Sequence, residues 1–151
     1  PGAYKLPRPR VEGSPLDFSF SGLKTAALNL LNSARQRGEE INVPNLCASY
    51  RRAVVEYLVD HFGTAVRESG AGRIAAAGGV SANRLLRREL EALSRETGAA
   101  LYLPELRYCG DNAAMIAAQG YYEFINGHTA DMGLNAYPQM DIGESFSAAL
   151  L

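Results

Sequence analysis

Three short stretches of the sequence carry glycines or polar side chains that can do chemistry. They are FSFSGLKT (Phe18 to Thr25), GGVSAN (Gly78 to Asn83) and RYCGDNAAMIAAQG (Arg107 to Gly120). In each stretch a helical pattern begins, and the free N–H groups and the dipole at the start of a helix attract anions. The third stretch also places a lone carboxylate, that of Asp111, next to such a helix start.

The glycine turn, Gly78-Gly79-Val80-Ser81-Ala82-Asn83, follows a short apolar run and is the first candidate for ligand binding. Glycines let a ligand approach the backbone, and the helix that follows favours phosphate. Asn83 is expected in the first turn of that helix, where it can bond the hydroxyls or base of a ligand. Neither G-x-x-x-x-G-K-[ST] nor G-x-G-x-x-G is present, so a tight turn with Ser81 as N-cap is an equal alternative.

Two interpretations are open for Asp111. An acid between a glycine and a helix is typical of an N-cap, and the pattern alone favours that role. A metal ligand is the alternative, but a metal needs more ligands than one acid, and the spacing to Cys109 matches no usual metal site. We therefore expect Cys109 to be a buried structural cysteine.

The other polar candidates favour structural or solvated roles. Lys24, in the first turn of its helix, can meet an anion but is more typical of a solvated lysine. His61 and His128 lack the spacing of a metal-binding pair, and no Ser-His-Asp set has a recognisable context. Glutamates largely offset the positive charge of the helix after the glycine turn, which predicts a solvated mixed face for its basic residues, Arg84, Arg87 and Arg88.

Length and composition describe one soluble globular domain over residues 1–151. The 151 residues are 47% hydrophobic and 21% charged, which is typical of an α/β or α+β protein. The formal net charge of -1 disfavours a general affinity for nucleic acid, so a nucleic-acid partner would need a local patch. The two cysteines lie far apart, and no signal peptide or membrane-spanning run is seen, so we expect a cytoplasmic protein.

Periodicity predicts the elements that position these candidates. The proline-rich residues 1–15 predict an extended segment, and LDFSFS, residues 16–21, predicts a short strand or the end of one. A helix is expected from Gly22 to about Arg37, followed by a long helix at about 44–69 with Pro44 near its first turn. Since the chain begins at Pro1 without an initiator Met, we expect it to belong to a longer protein.

The second half alternates strand and helix patterns. The apolar run at 73–80 predicts a strand that ends in the glycine turn, and a second short strand is predicted at 100–104. A helix is predicted between them and another after Asp111, and residues 127–151 are expected to form an irregular tail. The alternation predicts an α/β fold in which helices cover a sheet.

Three motifs together closely resemble the carboxyl-terminal half of the tRNA N6-adenosine threonylcarbamoyltransferase family, also known by the older names O-sialoglycoprotein endopeptidase and glycoprotease. The resemblance covers most of residues 3–125 and rests on LDFSFSGLKTA (16–26), AAGGVSANRLLR (76–87) and CGDNAAMIAAQG (109–120). It implies one lobe of the actin-like, Hsp70-like and sugar-kinase-like (ribonuclease H-like) fold, whose two lobes enclose a nucleotide. This chain would be most of the second, C-terminal lobe.

The resemblance also implies a reaction and a site. The family transfers a threonylcarbamoyl group from threonylcarbamoyl-adenylate to N6 of adenosine 37 in tRNAs that read ANN codons. By this resemblance Gly78 and Gly79 lie near the phosphates of ATP or the adenylate, Asn83 contacts the nucleotide, and Asp111 ligates one divalent metal, iron or zinc. The implied partners are tRNA, an inactive paralogue and a small ATPase subunit.

One departure from the family pattern is large. The other metal ligands of the family are a histidine pair spaced H-x-x-x-H, and no such pair occurs here. We therefore expect this chain alone to bind metal poorly and not to catalyse. Two other functions stay open: a non-catalytic interaction module of the same complex, and the metallo-glycoprotease of the older family name, although H-E-x-x-H is absent.

Overall fold

The computed structural model describes residues 2–9 and 11–135. Contacts group the chain into two compact units, Pro1–Gly110 and Asp111–Leu151, and each is described by itself. The first unit contains α1 (Ser21–Arg37), α2 (Val43–Ser69), β1 (Arg73–Ala75), α3 (Arg84–Thr97) and β2 (Ala100–Tyr102), with 3-10 turns at Gly79–Ala82 and Leu106–Tyr108. The second contains α4 (Ala113–Ile125). The prediction of one domain over 1–151 stays a prediction.

The α/β class predicted from the sequence is confirmed in a helix-rich form. Strands β1 and β2 form a parallel two-stranded sheet, in which Arg73 is opposite Ala100, and α3 makes the crossover between them. The predicted order of strand, glycine turn and helix is found, since β1 ends at Ala75 and a 3-10 turn at Gly79–Ala82 precedes α3. The more specific actin-like, Hsp70-like and sugar-kinase-like architecture stays a prediction.

Strand β1 has a partner on one edge within the described residues. The N–H of Ala100 donates to Gly72 O and the N–H of Ala76 donates to Tyr102 O, at 3.0 and 3.1 Å. Because a parallel ladder alternates, the backbone groups of Arg73 and Ala75 point away from β2. We call this row of backbone groups the outer edge of β1.

The long helix predicted at 44–69 is confirmed as α2. Asn42 caps it, since its side chain accepts a hydrogen bond from Asn45 N at 3.0 Å, and Gly70 ends it in the left-handed conformation with φ 65°. The main core cluster lies between α2 and α3 and consists of Val55, Leu86, Leu90 and Leu93. The two helices approach closely at Gly63, where an added Cβ would lie 3.1 Å from Leu93 Cδ1.

The strand predicted at LDFSFS is wrong. Residues 16–20 form no strand, and α1 begins at Ser21. Phe18 and Phe20 do lie on the same side of the segment, as alternation requires, but their rings pack edge-on against Tyr57, each with centroids 5.6 Å apart. The N–H of Ser19 donates to Tyr57 Oη at 3.0 Å. The segment is therefore held by a tyrosine ring of α2, and among the described residues no strand pairs with it.

The segments at the two ends are irregular where the structure describes them. Residues 2–9 form neither helix nor strand and lie along α2, where the N–H of Tyr4 donates to Ser49 Oγ at 3.3 Å and Arg8 pairs with Glu56. Residues 127–135 contain only turns, and the rest of the predicted tail, 136–151, lies outside the described residues. Across the described ranges, no helix combines the length and apolar character needed to cross a membrane.

Candidate functional site

The glycine turn opens directly after β1 and its backbone is specific to glycine at one position. Gly78 has φ 82° and ψ 171°, a conformation that disfavours a side chain, and its carbonyl accepts bonds from Ser81 N at 3.0 Å and Ser81 Oγ at 2.7 Å. An added Cβ at Gly78 or Gly79 would meet nothing within 4 Å. The outer face of the turn is thus open to a ligand.

Asn83 lies at the start of α3 and is its N-cap. Its Oδ1 accepts bonds from Leu85 N at 3.0 Å and Leu86 N at 3.3 Å. The alternative in which Ser81 caps the helix is wrong, because a 3-10 turn precedes α3 and buries Ser81 to 2% exposure. No hydrogen bond joins Asn83 Nδ2 to another residue that the structure describes, so this donor is available to a ligand.

Arg87 corrects the predicted solvated face of α3. Its Nε donates to Ser81 O at 2.7 Å, and its second terminal nitrogen, Nη2, donates to Pro104 O at 2.6 Å and to Cys109 Sγ at 3.3 Å. One guanidinium therefore joins the glycine turn to the segment after β2. The prediction fits Arg84 and Arg88, which are exposed, and Arg88 pairs with the neighbouring Glu89.

Sequence reasoning missed Arg87 because its partners are backbone atoms distant in sequence. The acceptor at Pro104 lies 17 positions away. A weaker signal was present, since a helical side chain points towards the N-terminus of its helix and Arg87 follows the cap Asn83 by four residues. This spacing predicts that the Arg87 side chain points towards the glycine turn.

Asp111 lies two residues before α4 and is exposed. Its predicted capping role is wrong, because Asn112 adopts the extended backbone of an N-cap, with φ -152° and ψ 148°, and its Oδ1 accepts a bond from Met115 N at 2.9 Å. Asp111 therefore presents its carboxylate beside a helix start that another side chain caps. Gly78, Gly79 and Asn83 lie together in the first unit, whereas Asp111 opens the second.

The residues present do not fit a complete metal site. The described part of the chain holds no group of three His, Cys, Asp or Glu side chains that could share an ion. The Nδ1 of His61 lies 3.0 Å from Tyr57 O, and that of His128 lies 2.7 Å from Glu123 Oε2. Among the described residues, Asp111 thus belongs to no cluster that could hold an ion by itself.

The remaining candidates have the structural or solvated roles predicted for them. Cys109 is buried at 4% exposure, and its thiol lies 3.5 Å from Glu105 O, which confirms it as a structural cysteine. Lys24 is exposed on the first turn of α1. The ring of His61 packs edge-on against Tyr57 with centroids 4.4 Å apart.

A separate apolar groove of about 560 Å³ lies beside the outer edge of β1. It is lined by Leu16, Phe62, Ala65, Val66, Glu68, Ser69, Ala71, Arg73, Ile74 and Ala75. None of these residues belongs to the glycine turn, so this groove and the candidate ligand site are different features of the first unit.

The family model and the curated relatives that match this chain carry the same name. A family model described as TsaD, tRNA N6-adenosine threonylcarbamoyltransferase, matches residues 1–118. Curated proteins named tRNA N6-adenosine threonylcarbamoyltransferase from Clostridioides difficile (strain 630) and Desulfitobacterium hafniense (strain Y51) are 45% and 44% identical to this chain over 142 residues. Each alignment covers 94% of this chain and 42% of the relative. The chain thus spans about two-fifths of the length of the curated relatives it matches.

Proposed function

Because the chain belongs to the tRNA N6-adenosine threonylcarbamoyltransferase family, we propose that it supplies the nucleotide-binding turn and one metal ligand of a tRNA-modifying transferase. The reaction moves a threonylcarbamoyl group from threonylcarbamoyl-adenylate to N6 of adenosine 37 in tRNAs that read ANN codons. Since the chain spans about two-fifths of its curated relatives, the proposal concerns its share of that activity.

The geometry of the glycine turn is the observation that supports the nucleotide role. No described residue accepts a hydrogen bond from the N–H groups of Gly79 or Val80, and the space outside Gly78 and Gly79 is open. Backbone N–H groups at an open glycine turn are suited to the oxygens of a phosphate. Asn83 Nδ2 adds a side-chain donor at the same turn. These groups would bind and orient ATP or the acyl-adenylate.

Asp111 would contribute one donor to a divalent metal, iron or zinc, that polarises the acyl carbonyl when it is bound. The described residues provide no set of three ligands, so Asp111 alone does not make such a site. We therefore expect the 151-residue chain by itself to bind the metal weakly and to be inactive. Tight, stoichiometric binding of Zn²⁺ or Fe²⁺ in a calorimetric titration of this chain would contradict that expectation.

Partners follow from the same proposal. The substrate is tRNA, and the formal net charge of -1 favours a grip through local contacts or through other subunits. An inactive paralogue and a small ATPase subunit complete the proposed complex, which would operate in the cytoplasm.

A chimeric enzyme tests the role of Asp111 in transfer. The matching 142 residues of the Clostridioides difficile relative would be replaced by this chain, and the chimera expressed in a strain that lacks the transferase. We expect the chimera to restore threonylcarbamoyladenosine in tRNA, measured by mass spectrometry. The Asp111→Ala chimera should not restore it, whereas Asp131→Ala, which removes another exposed acid of the same unit, should.

Several outcomes of this experiment would overturn the proposal. Equal rescue by the unsubstituted and Asp111→Ala chimeras removes Asp111 from the mechanism. A soluble, helical chimera that leaves tRNA unmodified but assembles with the other subunits supports the interaction module instead. A chimera that cleaves sialoglycoprotein while tRNA stays unmodified supports the metallo-glycoprotease.

A further inference from the structure

The guanidinium of Arg87 donates hydrogen bonds to three separate segments of the first unit at the candidate site. The three acceptors of its guanidinium belong to the glycine turn, to a residue two positions after β2 and to the loop that ends the first unit. Those acceptors are Ser81 O, Pro104 O and Cys109 Sγ.

The chemistry of this contact requires an arginine. The Nε and Nη2 groups lie in one rigid plane and donate in different directions, so each backbone oxygen receives its own short, charge-assisted bond. A lysine has one ammonium on a flexible stem and cannot hold both carbonyls in this fixed spacing. The contact at Ser81 O matters most, because Ser81 in turn bonds Gly78 O through both its N–H and its hydroxyl.

We infer that Arg87 is a positioning residue that fixes the glycine turn for its nucleotide and joins that turn to the segment around Cys109, near the end of the first unit. Cys109, whose thiol Arg87 contacts, is two residues before Asp111 in the chain. Arg87 thus joins the turn proposed to bind the phosphates to the chain segment that leads to the proposed metal ligand. The inference rests on the proposed function for its purpose, and on the three contacts for its geometry.

The neighbouring arginine offers a matched control. Arg88 is on the same helix, is exposed, and pairs only with Glu89 among the contacts of its side chain in the described residues. Arg87→Lys and Arg88→Lys both keep the charge and change one arginine of α3. Only the first removes the planar link between Ser81 and Pro104.

Two measurements on the 151-residue chain test the inference. In amide hydrogen exchange, Arg87→Lys should raise the exchange rates of the Ser81 and Asn83 N–H groups about tenfold, while Leu90 and Leu93 in the core keep their rates. In an NMR titration with ATP, the same variant should weaken the Kd read from the Gly78 and Gly79 amides about tenfold. Arg88→Lys should change neither quantity.

The two readouts separate failure of this inference from failure of the proposed function. If ATP does not shift the Gly78 and Gly79 resonances of the unsubstituted chain, the nucleotide role fails, and the exchange rates alone decide whether Arg87 holds the turn. If Arg87→Lys lowers the thermal midpoint but keeps the Kd for ATP, its role is structural and the inference is overturned. Unchanged exchange at Ser81 and Asn83 overturns it as well.

Discussion

Asn112 accepts a hydrogen bond from the N–H of Met115 at 2.9 Å and thereby caps α4. The sequence allows Asp111 to be either the cap of α4 or a metal ligand, and this contact assigns the cap to Asn112. The cap belongs to the amide side chain, while the carboxylate of Asp111 lies one position earlier and is exposed. A catalytic or metal-binding role for Asp111 therefore does not compete with the formation of the helix.

The first prediction separates these neighbours by substitution. Asn112→Ala should destabilise α4 by about 1 kcal/mol, because it leaves the Met115 N–H without its side-chain acceptor. Asp111→Ala should leave the helix intact. Amide exchange of α4 residues such as Ala117 measures both effects, and faster exchange in the Asp111 variant than in the Asn112 variant would contradict the assignment.

The second prediction concerns the two polar atoms of the Asn83 side chain. Its Oδ1 caps α3, and its Nδ2 is proposed to contact the nucleotide. Asn83→Asp keeps the acceptor that caps α3 but loses the Nδ2 donor and adds negative charge beside the glycine turn. Its free energy of unfolding should stay close to that of the parent chain, while ATP binding weakens. Asn83→Ala should lower the free energy of unfolding by about 1 kcal/mol. Urea unfolding combined with an ATP titration distinguishes the two losses, and unchanged ATP binding in the Asp variant would count against a nucleotide contact.

The third prediction concerns the aromatic packing that replaces the expected strand at LDFSFS. Tyr57→Phe retains the ring but removes the acceptor of the Ser19 N–H, and should cost about 1 kcal/mol of the free energy of unfolding. Tyr102→Phe is the control, since Tyr102 is 58% exposed. Equal urea midpoints for the two variants would show that the Ser19 bond contributes nothing to stability.

The fourth prediction is a pH effect at the end of α1. The hydrogen bond from Arg37 lowers the pKa of Glu39 below its ordinary value, and the positive charge of Arg37 acts in the same direction. A lowered folded-state pKa means that the contribution to stability is present above the ordinary carboxyl pKa and is lost as the pH falls through the lowered value. In Arg37→Gln the pKa of Glu39 should rise, as followed by carboxyl NMR. An unchanged titration would refute the contact.

The fifth prediction tests the register of the small sheet. The N–H groups of Arg73 and Ala75 lie on the outer edge of β1, so they should exchange with solvent about tenfold faster than that of Ile74, which faces β2. Hydrogen exchange resolved by residue measures this alternation. Uniform rates across β1 would require a partner for the outer edge or a different register.

The sequence predicts those features whose cause is local. Helix α2 follows from an apolar residue at every fourth position, a proline in the first turn and Gly70 at the end, all of which act within a few residues. The glycine turn is equally local, because Gly78 adopts a positive φ that its own lack of a side chain permits.

Features decided by distant partners were not predictable in the same way. The alternation in LDFSFS was correct for Phe18 and Phe20, yet a strand forms only when another strand pairs with it. The sequence predicts a solvated Arg87, whereas the structure places its side chain against two backbone carbonyls. Those carbonyls, at Ser81 and Pro104, come near Arg87 only when the chain crosses over from β1 to β2. The choice of cap between Asp111 and Asn112 depended on where α4 begins, a boundary that periodicity fixes only to within a few residues.

The outer edge of β1 also affects how readily two molecules of the chain associate. Within the described residues the strand groups of this edge have no partner. Beside an apolar groove, such groups form a template on which an extended chain can add hydrogen bonds, including a second molecule of the same kind. Such an encounter is bimolecular, whereas the contacts that hold α2 against α3 are not. Dilution therefore disfavours pairing at this edge while leaving the fold of the first unit unaffected.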